Sequence, residues 1–496
     1  MGSLNDLYKS SLALLTDLYE ITMAYAYWKS GTHTKEAVFH LHYRKNPFEG
    51  GYAIACGLET AIDFLERFRF QEDDLAYLDS LRGNDGGPLF EPGFLDYLRG
   101  LRFSCDLDAV PEGTVVFPFE PLVRVRGPIV EAQILETALL DLINFQSLIA
   151  TKAARVCLAA QGDPVIEFGL RRAQGIDGGL SASRAAYVGG CVATSNLLAG
   201  RLYGIPVRGT HAHSWVLSFD SELESFQAYA DALPNNCVFL VDTYNSLDGV
   251  RHAVEVGKRL REQGHEMVGI RLDSGDLAYL SIEARRILDE GGFPKASITA
   301  SNDLDEHLIT SLKQQGAQIR VWGVGTRLVT AYDHPALGGV YKLTAVREPG
   351  EEWDYKVKLS EQAIKISNPG IQQVRRFRDD AGFAADMIFD EETGVTDPAV
   401  LVDPMDLTRR KEMPADAPHE DLLVPVFRQG RRVYDPPPLP AVRRRVADQL
   451  AGFHGGVKRF ANPHRYPVGL EQHLFSLKTR LILQARGLDP AQEALV

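Results

Sequence analysis

From residue 164 onward, short apolar runs alternate with longer amphipathic stretches. The runs are PVIEFG (164–169), GIPVRGT (204–210), CVFLVDT (237–243), MVGIRLDSGD (267–276), SITASND (297–303) and IRVWGVGT (319–326). Between them, stretches such as VRHAVEVGKRLREQG and LAYLSIEARRILDEGG repeat apolar residues at helical spacing. Each closes on glycine, which ends a helix readily. From Val207 on, the centres of the runs fall roughly 20–30 residues apart, the length of a βα unit in a parallel sheet. Each run finishes in polar or glycine residues: Arg171, His213, Asp242, Arg271 with Asp273, Asn302, and Gly325 with Thr326. In a (β/α) barrel the strand carboxyl ends converge on one face, where active sites lie. The pattern predicts an α/β fold built on an irregular (β/α) barrel, one whose clean repeats do not reach eight.

The flanks follow other rules. Residues 131–160 place apolar side chains at 134, 135, 138, 139, 142 and 143, one face of a helix. Before them, TVVFPFEPLVRVRGPI (114–129) is β-branched but broken by Pro118, Pro121 and Pro128, which suits short or edge strands of an antiparallel appendage. After Ala331 the segments KLTAV, KVKLS and AIKIS read as short antiparallel strands. An acidic, proline-bearing stretch follows from Asp379 to Pro418, then a stiff Pro436–Pro438 linker and a tail with Arg443–Arg445 and a helix-like 470–486. These shifts divide the chain into an N-terminal α/β domain (1–130, some strands antiparallel), a barrel (131–340) and a C-terminal extension (341–496) that packs in part on the N-terminal domain.

Composition narrows the function. The 496-residue chain is 45% hydrophobic and 24% charged, and its net charge is −13. That balance argues against a nucleic-acid surface, whose affinity rests on Lys and Arg displacing counterions. The first twenty residues carry Asp6, Asp17 and Glu20 and lack a basic start before an apolar run, so no targeting segment is expected. No run reaches the ~18 apolar residues that predict a membrane span. Five dispersed cysteines without a CxxC pair fit reduced thiols, and a cytoplasmic location is expected.

The candidate chemistry sits on the run ends. Val207-Arg208-Gly209-Thr210-His211-Ala212-His213 sets two histidines two apart behind a Gly-Thr step. Histidine exchanges protons, accepts phosphoryl groups and binds metals near neutral pH, but it also fills strand ends as a core residue. In Arg271-Leu272-Asp273, strand alternation puts the cation and the carboxylate on one side. The pair suits an anionic sugar phosphate, or else forms an internal ion pair at the barrel mouth. Asp276 suits the cap of the next helix. In Gly323-Val324-Gly325-Thr326 the glycines let backbone N–H groups approach a phosphate. No GxxxxGK[ST] occurs, so ATP is not held by a Walker loop.

Eight segments in order, LLTDLYEITMAYAYW, FHLHYRKNPFEGGYAIACGLE, EFGLRRAQGIDGG, GTHAHSWV, GIRLDSGDL, ASNDLDE, WGVGTRL and VYKL, resemble the landmarks of the nicotinate phosphoribosyltransferase family. They span roughly residues 12–345; the rest resembles the family more loosely. The resemblance implies an irregular barrel of the type II phosphoribosyltransferase kind. It also implies transfer of nicotinate to phosphoribosyl pyrophosphate in NAD salvage, giving nicotinate mononucleotide and pyrophosphate. ATP hydrolysis would be coupled through a phosphohistidine at His213, in an ATP-coupled, ligase-type reaction with Mg²⁺.

By the same resemblance, Tyr19, Thr210, Arg271, Asn196 and Arg171 would meet nicotinate, and Arg271, Asp273, Gly323, Gly325 and Thr326 the phosphoribosyl pyrophosphate. Asp273 would take part in catalysis and would hold the metal. Tyr19 would reach a neighbouring subunit's site, which implies a homodimer with shared active sites. Asn196, standing where amide-specific relatives have an aspartate, would favour the acid because it does not repel a carboxylate. Val192 stands where many relatives carry an aspartate. His211 falls at a variable family position and stays open between core and site. Arg44 and Lys45 stay open between phosphate contacts and an exposed basic pair. The alternatives are a nicotinamide or quinolinate phosphoribosyltransferase, a barrel hydrolase using Asp242, Asp273 and Asp276, and a non-catalytic nucleotide sensor.

Overall fold

The computed structural model describes residues 12–488 apart from 407 and 415, so Asp6, used above against a targeting segment, lies outside the described residues. The described chain divides into two compact units: residues 149–335, and a second made of residues 12–148 with 336–488.

The first unit holds six parallel strands: β1 (Val165–Glu167), β2 (Ala193–Thr194), β3 (Val238–Leu240), β4 (Gly269–Leu272), β5 (Ser297–Ala300) and β6 (Val321–Val324). Their spatial order is β2-β1-β6-β5-β4-β3, so β6 returns to pair with β1, with Trp322 opposite Val165. Outside β2, Val207 makes a parallel bridge with Thr194, which puts the GIPVRGT run in the ring as a single bridge rather than a strand. The two-residue β2 has too little apolar sequence to stand out and was not among the expected strands. Among the described residues no backbone ladder joins the Val207 segment to β3. A flat sheet would hold these edges ~25–30 Å apart at ~4.8 Å per strand. Instead the Nε2 atom of His211, four residues beyond Val207, lies 3.2 Å from the Leu240 amide nitrogen of β3. The sheet is therefore curled into a partial barrel.

Sequence explains each repeat. The loops after β3, β4 and β5 end on Asn245, Asp276 and Asp305, whose side chains accept hydrogen bonds from the first free backbone N–H groups of the helices Ser246–Glu262, Leu277–Glu290 and Glu306–Gln314. The first two of these helices are followed by Gly264 and Gly292, at φ +84° and +88°, where a side chain would be strained.

One expectation needs correction. The helical stretch Ile129–Ala160 is long and apolar enough to cross a membrane by length and composition, although 67% of its most apolar window is buried by the protein itself. Its buried Lys152 and Arg155 each lie 2.7 Å from Glu306, as in the core helix of a folded unit.

The second unit interleaves the two ends of the chain. Its seven-stranded antiparallel sheet runs 354–355, 339–347, 36–43, 123–128, 106–109, 424–428, 431–432. Strand Glu36–Tyr43 is central and almost wholly buried. Its polar residues survive because they are bonded: His40 Nε2 accepts the Gln372 amide at 3.1 Å, and its Nδ1 lies 3.0 Å from Thr344 Oγ1. A second, six-stranded sheet runs 410–413, 399–402, 468–471, 382–390, 372–379, 419–421. The expected KLTAV strand lies within Gly339–Arg347, but KVKLS is irregular and AIKIS opens with a 3₁₀ turn at Ala363–Lys365. They meet through isolated hydrogen bonds, Lys356 N–H to Thr344 O at 2.8 Å and Ser367 N–H to Lys358 O at 3.3 Å, rather than a continuous ladder.

On adjacent strands of this second sheet, buried Arg376 pairs with Asp386, which also accepts the Tyr466 hydroxyl at 3.0 Å. Buried Glu120 sits beside this pair. Burial first, and then the neighbouring Asp386 carboxylate, push Glu120 well above the ordinary carboxyl range. Folded protein thus keeps a proton that the unfolded chain releases near pH ~4.3, so this group's contribution falls as pH rises above that value. Glu120→Gln keeps the shape without the titration. Its melting temperature relative to wild type is expected to climb between pH 5 and pH 8 in thermal denaturation, and a flat difference would show that Glu120 ionises freely in the fold.

Candidate active site

The β4 strand end places Arg271 and Asp273 on one side while Leu272 turns fully into the core. The Arg271 guanidinium uses every nitrogen. Nε donates to Ser301 Oγ at 2.7 Å, Nη1 to Thr210 Oγ1 at 2.8 Å, and Nη2 to Asp273 Oδ1 at 3.0 Å. One side chain thereby joins the ends of β4 and β5 to the loop after Val207. Partial burial works to raise the Asp273 pKa. The hydrogen bond from Ser301 and the charge of Arg271 outweigh it and hold the carboxyl below its ordinary value.

Beside them stands a second carboxylate. Asp242, at the end of the β3 run, has a buried side chain, and its Oδ2 accepts the Asp273 amide at 2.8 Å and the Ser274 hydroxyl at 2.6 Å. Its Oδ1 is buried without a hydrogen-bond partner. His213 opens the short helix His213–Leu217; its Nδ1 lies 3.1 Å from Thr243 Oγ1. Its Nε2 is 3.9 Å from Asp242 Oδ1 and 3.8 Å from Asp273 Oδ2. The arrangement is a half-exposed imidazole facing two carboxylate oxygens, one of which lacks any partner.

A cavity of about 580 Å³ opens over these groups, lined also by Phe168, Ser195, Asn302 and Asp303. Gly323, Gly325 and Thr326 form one wall. A Cβ at Gly323 would stand 2.6 Å from the Phe168 ring, so only glycine lets the β6 end pack under that ring. Arg171 and Arg172, both exposed, stand on the rim after β1. Three arginines against two aspartates make the lining locally cationic within an acidic protein. Among the described residues, no group of three or more His, Cys, Asp or Glu side chains is arranged to hold a metal. Asp273 with the orphaned Asp242 oxygen fits Mg²⁺ of the kind that takes one or two carboxylates and completes its shell with water and substrate phosphates.

Not every expected residue lies at this wall. Asn196 is buried and fully used. Its Oδ1 accepts the Ala199 amide as a helix cap, and its Nδ2 points to Ser183 Oγ at 3.2 Å and Gly179 O at 3.4 Å. It sits in a network in which Glu167 accepts from Ser183 at 2.9 Å and Thr194 at 2.6 Å. The cavity wall carries its neighbour Ser195 instead. Asp276 caps a helix, and of the three acids of the hydrolase alternative only Asp273 lines the cavity. Tyr19, on helix Leu18–Lys29 of the second unit, is half exposed; burial, Glu136 and Glu20 raise its hydroxyl to about 12. Arg44 and Lys45 also belong to the second unit, Arg44 half-buried at a strand end and Lys45 exposed.

The residues that sequence reasoning passed over are Ser301 and Thr243, while Asp242 was named as a run end and as an acid of the hydrolase alternative. Asp242 and Thr243 close CVFLVDT, and Ser301 follows directly on β5, the same run-end signal that marked the others.

Known proteins resemble this chain along nearly its whole length. The nicotinate phosphoribosyltransferase N-terminal domain matches residues 14–144, and the C-terminal domain of the same family matches 371–478. Nicotinate phosphoribosyltransferase of Bacillus subtilis (strain 168) is 43% identical over 96% of either chain. Nicotinate phosphoribosyltransferase 2 of Arabidopsis thaliana is 38% identical over 93% of this chain and 92% of its own. The crystal structure of human nicotinic acid phosphoribosyltransferase superposes with a TM-score of 0.83 at 33% identity, covering 94% of this chain and 99% of that one. The chain belongs to the nicotinate phosphoribosyltransferase family.

The position of Asn196 makes a distinct prediction. Asn196→Ala removes a cap and opens a buried network, and should cost about 1–2 kcal/mol in denaturant unfolding. The preference between acid and amide substrates should not change, whereas a reversed preference would return Asn196 to the substrate's vicinity.

Proposed function

We propose that the protein is a nicotinate phosphoribosyltransferase of NAD salvage, with a barrel of the type II phosphoribosyltransferase kind, coupled to ATP through His213. The observation that carries the reading is the cluster of Arg271, Asp273 and His213 on one cavity, with Asp242 beside His213, in a chain of this family. In the transfer step the pyridine nitrogen forms a bond to C1 of the ribose while the C1–O bond to pyrophosphate breaks. The nitrogen attacks with its own lone pair, so no proton need be removed. What the protein supplies is position and charge. Arg271, with Arg171 at the rim, would meet anionic groups of the substrates. The ionised Asp273 faces the cavity and would stabilise positive charge developing at C1. Gly323, Gly325 and Thr326 would receive the 5′-phosphate. Mg²⁺ held by Asp273 and Asp242 would offset the charge of the departing diphosphate.

His213 would act separately. Its Nδ1 is engaged by Thr243, leaving Nε2 as the nitrogen free to attack the γ-phosphorus of ATP. The N–P bond forms as the bond to ADP breaks, and water later takes the phosphoryl group. A phosphoryl group on Nε2 would lie beside two carboxylates, whose repulsion makes the bond labile. Tyr19 of a second copy would complete the pyridine site, which makes the working unit a homodimer.

Two measurements test this. His213→Asn should abolish nicotinate-dependent ATP hydrolysis and acid-labile labelling from γ-labelled ATP, yet retain weak ATP-independent transfer; full ATP stimulation in that variant would remove the phosphohistidine. Purified wild type should turn over nicotinate in preference to nicotinamide, because the cavity lining carries three arginines against two aspartates and so favours an anionic ring substituent. A preference for the amide would overturn the substrate assignment.

A further inference from the structure

We propose that His211 is a positioning residue. Its neutral imidazole fastens the loop bearing Thr210 and His213 to strand β3, across the gap in the parallel ring where no backbone ladder runs.

The backbone shows why something must stand there. On one side of β3, the Val241 amide donates to Arg271 O of β4 at 3.2 Å. Successive amides of a strand point to opposite sides, so the Leu240 N–H faces the open edge. Leu240 is fully buried, and an unmatched amide there would cost the full desolvation of a polar group. His211 Nε2 accepts that amide at 3.2 Å. An N–H donor requires a lone pair on Nε2, so the ring proton resides on Nδ1, which faces Ala212 O at 3.5 Å. The ring is held between Tyr229, at a centroid distance of 4.9 Å, and Phe226 at 6.0 Å. Burial, more than any neighbour, lowers its pKa to about 4, so it stays in the accepting form across neutral pH.

The fastening reaches the chemistry through the backbone. Arg271 Nη1, already on Thr210, also approaches the His211 carbonyl at 3.4 Å. His213 follows two residues later and meets Thr243 of the same β3 run. Losing the Nε2 contact frees the loop that sets both the Arg271 fork and the His213 ring. His211 itself is committed and buried, and so is not a second phosphoryl acceptor.

This rests on the reading of His213 above, but its test separates the two. His211→Phe keeps a packed ring without an acceptor, His211→Gln puts an amide oxygen near the Nε2 position, and His211→Asn is too short to reach. Hydrogen–deuterium exchange of the peptide containing Leu240 should rise in the Phe and Asn variants and stay near wild type in Gln. This readout needs no activity, so it stands whatever reaction His213 performs. In parallel, kcat for ATP-coupled transfer should fall on the order of 10- to 100-fold in Phe and Asn, with Gln restoring most of it. A side chain that merely fills the core gives the opposite order, with Phe tolerated and Gln worst. That order, or wild-type protection of Leu240 in both Phe and Asn, would overturn the proposal. If the Phe variant does not fold, the Gln–Asn comparison decides alone.

Discussion

The guanidinium of Arg271 is the constraint on which the rest of the catalytic face depends. A planar fork has its donors at fixed angles, so partners on three chain segments must converge to one geometry before all three bonds can form. Thr210, Ser301 and Asp273 satisfy it together. Lysine offers a point charge with no such angular demand, which is why the position suits arginine. The same charge keeps Asp273 ionised despite its partial burial, so assembly of the site and its electrostatics are one event.

Around that fork the polar groups divide into two populations. Glu167, Ser183, Thr194 and Asn196 satisfy one another and a helix start, and form a buried footing under the ends of β1 and β2. Asp242 belongs to neither wholly, because one oxygen supports the Asp273–Ser274 turn while the other has no hydrogen-bond partner among the described residues. A buried carboxylate oxygen left without a partner is costly, and sites that keep one generally use it.

How far the sequence revealed this follows from the range of the signals involved. Arg271 and Asp273 were legible because alternation within one strand is local, and the caps Asn245, Asp276 and Asp305 sit where a strand-loop-helix unit needs them. The interleaved sheet of the second unit was not legible: Glu36–Tyr43 pairs with Gly339–Arg347, about three hundred residues away, and no periodicity reports a partner at that distance. Asn196 misled for a related reason. A residue type at an aligned position shows what a side chain can bond, but only coordinates show that Ala199, Ser183 and Gly179 have already claimed it. His211 was left open between two roles, and its position at an edge with no ladder could not be inferred from neighbouring residues.

The interleaving carries a consequence for biogenesis. The partial barrel is continuous in sequence, so everything it needs has left the ribosome well before synthesis ends. Strand Glu36–Tyr43, made early and almost wholly buried in the fold, must wait for Gly339–Arg347 to cover one of its edges. During translation that edge is an unpaired template, open to wrong partners until the last third arrives. The edge most in need of protection during synthesis therefore lies on the first described strand rather than in the barrel.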